Sequence, residues 1–308
     1  MFVKHDGRGR TDLKTGAIFI QIFVTGAAGF VGTAVVKELL ANGHKVLGLA
    51  RSDANAAALK AAGADIHRGS LEDMNSLRVG AAAADGVIHC AFNHEFSKFA
   101  ANAEQDRQAL EEMAKVLEGT DKPLISTSGL LGIAPGATAT EAIPAAAASP
   151  RKSEEVLAAA KRGVRAMTVR LPPNTHDGVE GGFAPLIIAA ARANGVSAYV
   201  GDGRNRWPAV HRLDAARLYR LALEKGVAGA RYHAVGDAGI MFRDLAEVIG
   251  RRLNLPVVSK TPEEAGGHFG FLGMFAGLDA PASAQWTRDQ LGWQPKHPGL
   301  IADLEHLR

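Results

Sequence analysis

The chain has 308 residues, 47% hydrophobic and 22% charged, with a formal charge of +3 at pH 7, a balance that suits a globular protein of one extended domain or a domain plus a lobe. No dense Lys/Arg block occurs (Arg8-Gly9-Arg10 and Arg251-Arg252 are isolated) and no apolar run reaches the roughly 18–20 residues that span a bilayer, so nucleic acid and membrane are not expected partners. A lone cysteine, Cys90, excludes an intramolecular disulfide and fits a reducing, cytoplasmic setting.

Residues 1–16 carry mixed charge, several glycines and no hydrophobic period, and a loose tail is expected over residues 1–20. The apolar residues 17–24 follow Asp6 and Asp12 and run into glycines, not into a small-residue cleavage site, so a secretory leader is not expected. Next comes Ile22-Phe23-Val24-Thr25-Gly26-Ala27-Ala28-Gly29-Phe30-Val31-Gly32, an apolar β-branched run that meets Thr-Gly-x-x-Gly-x-x-Gly and then a helical pattern. Each glycine has a physical task there. Gly26 permits a tight turn, Gly29 lets backbone N–H groups approach a pyrophosphate, and Gly32 lets the new helix lie close on the sheet. An anion would sit at the helix N-terminus, held by unpaired amides and the helix dipole. Gly26, Ala28, Gly29, Phe30, Val31 and Gly32 are the expected contacts.

Short apolar runs then alternate with helical patterns. The first helix, near Phe30 to Ala41, places Val31, Val35 and Leu39 on one stripe and stops at Asn42-Gly43. Strands are predicted near Lys45–Leu49, Asp65–His67, Val87–Ala91, Pro123–Ser128 and Ala166–Leu171. Helices are predicted near Ala56–Ala62, Leu71–Val79, Phe96–Leu117 and Ser153–Arg162. This alternation predicts an α/β, doubly wound parallel sheet of the Rossmann type, with ligands at the carboxyl ends of its strands. His89 reads as a satisfied core residue and Cys90 as a buried structural thiol. Beyond Pro172 the elements shorten: a helix near Phe183–Asn194, strands near Ser197–Val200 and Trp207–His211, and a helix over Asp214–Lys225 with Asp214 near its cap. Trp207-Pro208 reads as a pocket wall or as packing between lobes. Phe271, Met274 and Phe275 within Phe269–Leu278 read as a cavity lining, a dimer seam or plain core. The expected organisation is a tail over 1–20, a dinucleotide-binding domain over 21–175 with return elements around 205–235, and a smaller C-terminal substrate lobe from 176–204 and 236–308.

Taken together, the glycine motif, His89-Cys90-Ala91, Ser126-Thr127-Ser128-Gly129, Arg170-Leu171-Pro172-Pro173, and Gly201-Asp202-Gly203 leading to Val210-His211-Arg212-Leu213-Asp214 resemble the extended and atypical short-chain dehydrogenase/reductases, the NAD-dependent epimerase/dehydratase type, over about residues 21 to 300. NAD-binding relatives carry an Asp at the end of the second strand; here Ala50 fills that slot, followed by Arg51 and Ser52. Without that carboxylate, and with a guanidinium to meet a 2′-phosphate, NADP is expected in preference to NAD, with Asp53 as the carboxylate that would favour NAD. The resemblance further places Ser70 and Leu71 beside the adenine, Ala91 and Asn93 toward the ribose and nicotinamide, and Pro172 beside the carboxamide. It also allows a homodimer through the helices that follow the fourth and fifth strands.

The family's catalytic Tyr-x-x-x-Lys is absent. Family spacing lands on Ser149-Pro150-Arg151-Lys152-Ser153-Glu154, which puts Pro150 on the Tyr position and Glu154 on the Lys position, and Tyr199, Tyr219 and Tyr232 all lie downstream. Ser128 fills the family's Ser slot and is the candidate to position a substrate oxygen, with the proton from water, His94 or His176. Lys152 reads as a solvated lysine. No His/Cys/carboxylate spacing suggests a metal site. The leading expectation is an NADP(H)-dependent oxidoreductase moving hydride to or from a carbonyl or alcohol of a small molecule. The alternatives are a catalytically silent NADP(H)-binding redox sensor and a sugar-nucleotide epimerase or dehydratase, the latter weakened by the missing tyrosine.

Overall fold

Ile22, Phe23 and Val24 have side chains that suit a pleated, buried surface, and in the computed structural model they are fully buried in β1 (Gln21–Thr25). The structure describes residues 2–4, 10–12, 18–147, 149 and 151–307. From β1 the chain alternates through α1 (Phe30–Ala41), β2 (Lys45–Ala50), α2 (Asp53–Ala61), β3 (Asp65–Arg68), α3 (Met74–Ala82), β4 (Gly86–His89), α4 (Phe99–Leu117), β5 (Pro123–Gly129), β6 (Arg165–Leu171) and, much later, β7 (Arg231–His233). These strands form one seven-stranded sheet in the order 7-6-5-4-1-2-3, with β1 parallel to both β2 and β4. Chain order reverses between β1 and β4, so the loops leaving these two strands flank the crevice where doubly wound sheets bind ligands.

The chain divides into two units. The first comprises 1–128, 146–169 and 216–232, the second 129–145, 170–215 and 233–308. The strand Arg206–His211 goes with the second unit, and only 216–232 returns to the first, a narrower return than the expected 205–235. In the first unit Leu77, Val87, Leu110, Met113, Leu124 and Val156 pack into a core cluster. The stretch Ser153–Arg162, expected as a helix, is a 3-10 helix. In the second, Ala184–Asn194, Phe242–Leu253 and Pro262–Phe269 pack around Trp207, Ile249 and Leu272. Trp207 belongs to this unit's own interior, edge-on to Phe242 at 5.0 Å with its Nε1–H donated to the Leu278 carbonyl at 3.1 Å.

The segment expected to be a loose tail contains three short strands, Phe2–Lys4, Arg10–Asp12 and Ile18–Phe19, paired antiparallel. Phe2, Val3, Ile18 and Phe19 are strand formers at its two ends; residues 1, 5–9 and 13–17 of that tail lie outside the described residues. Among the described residues no helix is long and apolar enough to cross a membrane.

Candidate active site

The turn after β1 is built as its glycines require. Gly26 has φ +65°, and a Cβ there would stand 2.6 Å from the Ala91 nitrogen; a Cβ on Gly32 would stand 2.0 Å from the Gly26 carbonyl oxygen. The Gly29 N–H donates to that same oxygen at 2.8 Å and closes the turn. Gly29 is also the N-cap of α1, where no side chain caps the helix and the first turn holds no acidic residue. By contrast, Ser52 caps α2 and Asp73 caps α3. The N-cap position of α1 thus brings no side-chain acceptor and its first turn no repelling carboxylate, which fits a diphosphate. The same packing lays Ala91 against Gly26, across the reversal point.

At the end of β2, Arg51 is exposed and follows Ala50. The Ser52 hydroxyl accepts the Asn55 N–H at 3.2 Å, so its cap role already uses it. Asp53, the carboxylate that would favour a bare ribose, is held 2.6 Å from Arg68 on the surface. Ser70 accepts the Glu72 N–H at 3.3 Å, and Leu71 packs against the first core. This end offers a guanidinium and no free carboxylate at the position that follows β2.

Beyond β4, the turn at Asn93 is clamped. Asn102, buried on α4, donates to the Asn93 and Glu95 carbonyls at 3.1 and 3.0 Å. His94 lies edge-on to Phe92 at 5.3 Å. Packing around its ring, and secondarily the Arg151 charge, hold its pKa below the ordinary histidine value. Ser128 is buried near the end of β5. One residue earlier, Thr127 donates to the His89 carbonyl at 2.7 Å and its oxygen lies 2.6 Å from the Tyr219 hydroxyl. Burial holds the Tyr219 phenol well above its usual pKa and pushes the Cys90 thiol up to about 12, so neither is a ready proton donor or nucleophile.

Of the two positions where the family dyad was sought, Pro150 lies outside the described residues, and Glu154 is buried with Arg231 Nε at 2.9 Å. Lys152 is a surface residue 3.6 Å from Glu155. Two groups in this region escaped the sequence reading. Asp106 sits in the buried stripe of α4 with Asn102, Ala103, Ala109, Leu110 and Met113, and a carboxylate at a core position of a mostly apolar helical period was the available signal. Arg151, adjacent to the position that was weighed, carries a guanidinium 4.3 Å over the Phe92 ring with Nε sealed from solvent. His89 is fully buried, with Nδ1 2.8 Å from the Thr25 hydroxyl and Nε2 3.0 Å from Asp106.

Pro172 and His176 belong to the second unit. His176 is wholly buried with Nδ1 2.7 Å from Asp303, which makes it part of that unit's interior in place of the proton source expected from the sequence. Asp214 does not cap its helix. Its carboxylate accepts the Lys296 and His297 N–H groups, both at 2.9 Å, and so ties down the C-terminal segment. The acceptor at the start of the helix Arg212–Lys225 is His211, whose Nδ1 takes the Leu213 N–H at 3.2 Å. Its ring stacks on His297 at 4.6 Å, meets His176 edge-on at 5.5 Å, and reaches Asp177 at 3.4 Å. Burial, the largest cause, lowers the His211 pKa below 6.5; Asp177 opposes this, and His297 and His176 add to it. The unfolded chain thus takes up a proton near pH 6.5 that the folded chain refuses. The stabilisation is present above that pH and is lost as the pH falls below it. The thermal midpoint is expected to fall between about pH 7 and pH 5, and His211→Asn, which keeps an acceptor for Leu213, to flatten that fall. An unchanged slope would remove His211 as its cause.

Comparison with known proteins fits this geometry. A family model described as the NAD dependent epimerase/dehydratase family matches residues 22–235. An uncharacterized protein of Schizosaccharomyces pombe is 48% identical over 295 residues, covering 92% of this chain and 98% of that protein. One of Saccharomyces cerevisiae is 46% identical over 291 residues, with the same coverage. Similar solved structures include DesIV, a dTDP-glucose 4,6-dehydratase from Streptomyces venezuelae with NAD and TYD bound (22% identity, TM-score 0.73, 92% of this chain and 95% of that one). Another is the Bordetella bronchiseptica enzyme WbmG in complex with NAD and UDP (18% identity, TM-score 0.72, 96% and 95%).

Proposed function

The chain belongs to the NAD-dependent epimerase/dehydratase family, and from that premise we propose that it is an NADP(H)-dependent oxidoreductase acting on a carbonyl or alcohol carbon of a small molecule. The observation that carries this reading is the turn Gly26–Gly32, whose uncapped, acid-free helix start faces the reversal point of the sheet. Backbone amides there would hold the diphosphate, and Arg51, with Ala50 where a carboxylate would stand and Asp53 paired to Arg68, would receive a 2′-phosphate. A bound nicotinamide supplies or accepts the hydride. The chain's own part is to orient the substrate and handle the proton. Ser128, near the end of β5, offers a hydroxyl to hold the reacting oxygen. His94, kept on its neutral side at pH 7, suits taking a proton from an alcohol better than giving one to a carbonyl.

A second reading is a silent NADP(H) sensor. It is favoured by one feature: the only tyrosine hydroxyl near β5 among the described residues is already bound to Thr127. Titration with NADPH and NADH, followed by NADPH consumption across aldehydes, ketones and imines, separates the two. The oxidoreductase binds NADPH more tightly than NADH and consumes it with at least one carbonyl. Ser128→Ala is expected to keep NADPH affinity and lose turnover by about 100-fold, roughly 2.7 kcal/mol of transition-state stabilisation. Unchanged turnover removes Ser128 from the mechanism, and binding with no consumption leaves the sensor.

A further inference from the structure

The two loops that flank the reversal point of the sheet are both tied to α4. Asn102 and Asp106 stand one helical turn apart on its buried face. Asn102 donates from its amide to the Asn93 and Glu95 carbonyls, at 3.1 and 3.0 Å, and so fixes the loop that leaves β4. Asp106 reaches the other loop through a relay. Its Oδ1 lies 3.0 Å from His89 Nε2, and His89 Nδ1 lies 2.8 Å from the Thr25 hydroxyl. A carboxylate only accepts, so Nε2 carries the proton, and Nδ1 of the neutral ring accepts from Thr25. Thr25 and His89 are register partners on β1 and β4, and all three side chains are at most 1% exposed. Burying a carboxylate and an imidazole costs free energy that apolar groups of the same volume would not. The relay ends on the residue before Gly26. Gly26 has no side chain to anchor it, so the turn depends on the bonds around it. The Gly29 N–H donates to the Gly26 carbonyl from within, and on the other side the Cys90 N–H holds the Thr25 carbonyl at 3.2 Å. The Thr25 hydroxyl adds the link to α4.

We propose that Asp106, His89 and Thr25 are positioning residues for the cofactor, acting in series to hold the Gly26–Gly32 turn in the form that receives the diphosphate, while Asn102 holds the opposite loop in parallel with them. Amides that are already in place lose less conformational freedom when an anion arrives, so residues that touch no cofactor still set its affinity. A series has its own signature: cutting it at either end has the same effect, and cutting it at both ends adds nothing. The inference rests on the reading of this turn as the diphosphate site.

The test is titration calorimetry of the whole protein with NADPH, at a temperature where each variant is folded by circular dichroism. Thr25→Val removes the hydroxyl at nearly constant shape and is expected to raise the NADPH Kd by about 10-fold, and Thr25→Ser to restore it. Asp106→Leu should raise the Kd by a similar factor, and either single variant carries the test should the other not fold. Adding Asp106→Leu to Thr25→Val should change the Kd no further, whereas adding Asn102→Leu should multiply the loss. A merely structural role would lower the thermal midpoint and leave the Kd of folded protein where it was. Tight binding by the wild type and equally tight binding by folded Thr25→Val overturns the proposal and leaves the diphosphate site standing. Losses that multiply when Thr25→Val and Asp106→Leu are combined overturn it too, because the two would then not act in series. A wild type that takes up neither NADPH nor NADH overturns the cofactor reading itself.

Discussion

Gly32→Ala is expected to reduce NADPH affinity by about 100-fold or more, roughly 2.7 kcal/mol, measured by titration calorimetry on protein whose circular dichroism is unchanged. The cause is one methyl group in a place with no room. The new Cβ would stand 2.0 Å from the Gly26 carbonyl oxygen and 2.8 Å from its carbon, both backbone atoms that no rotamer change can move. Either α1 tilts away from β1 or the Gly26 turn opens. In the first case the amides at the helix start swing off the diphosphate position. In the second, the Gly29 N–H loses its 2.8 Å bond to the same oxygen, and the loop loses its shape. Overpacking of this kind also costs about 1–3 kcal/mol of stability, so the thermal midpoint should drop together with the affinity. Gly129→Ala is a fair control: a Cβ there meets nothing within 4 Å. Retention of NADPH binding in Gly32→Ala would mean that the diphosphate is not held at this turn, and the functional reading would fall with it.

What sequence reasoning could reach follows from the range of the forces involved. The strands and α1 were legible because burial on both faces demands continuous apolar runs, and a helix start demands a local break such as Gly26–Gly32. The residues α1 would occupy, Phe30 to Ala41, agree with the structure end to end. His89 was legible as core because it lies within such a run. Interactions distant in sequence were not legible. Asp214 looked like a helix cap from its neighbours, but its two oxygens are used by amides more than 80 positions away, while the ring of His211 supplies the acceptor at the helix start. His176, shortly after two prolines, was expected as a candidate proton source, and Asp303, 127 positions on, holds it in the interior. Arg151 shows the third kind of miss. Spacing inherited from the family directed attention to Pro150 and Glu154, and the guanidinium stacked over Phe92 fell between them.

The second large effect is expected at His89, for a reason that joins stability to the site. His89→Phe should destabilise the first unit by about 3–5 kcal/mol in denaturant unfolding, more than most core substitutions of similar volume. The ring itself is replaced well enough by an apolar one; the loss lies in what the ring satisfies. Asp106 is 1% exposed, its Oδ2 has no hydrogen-bond partner among the described residues, and His89 Nε2 serves its Oδ1 at 3.0 Å. Without the imidazole both oxygens of a buried carboxylate are left unbonded, and the Thr25 hydroxyl loses its acceptor at 2.8 Å as well. His89→Phe combined with Asp106→Leu removes the stranded charge along with its partner. The double variant should therefore recover much of the stability lost by the single one, a coupling that a double-mutant cycle reads directly. Additive losses in the cycle would show that His89 and Asp106 do not act as a pair.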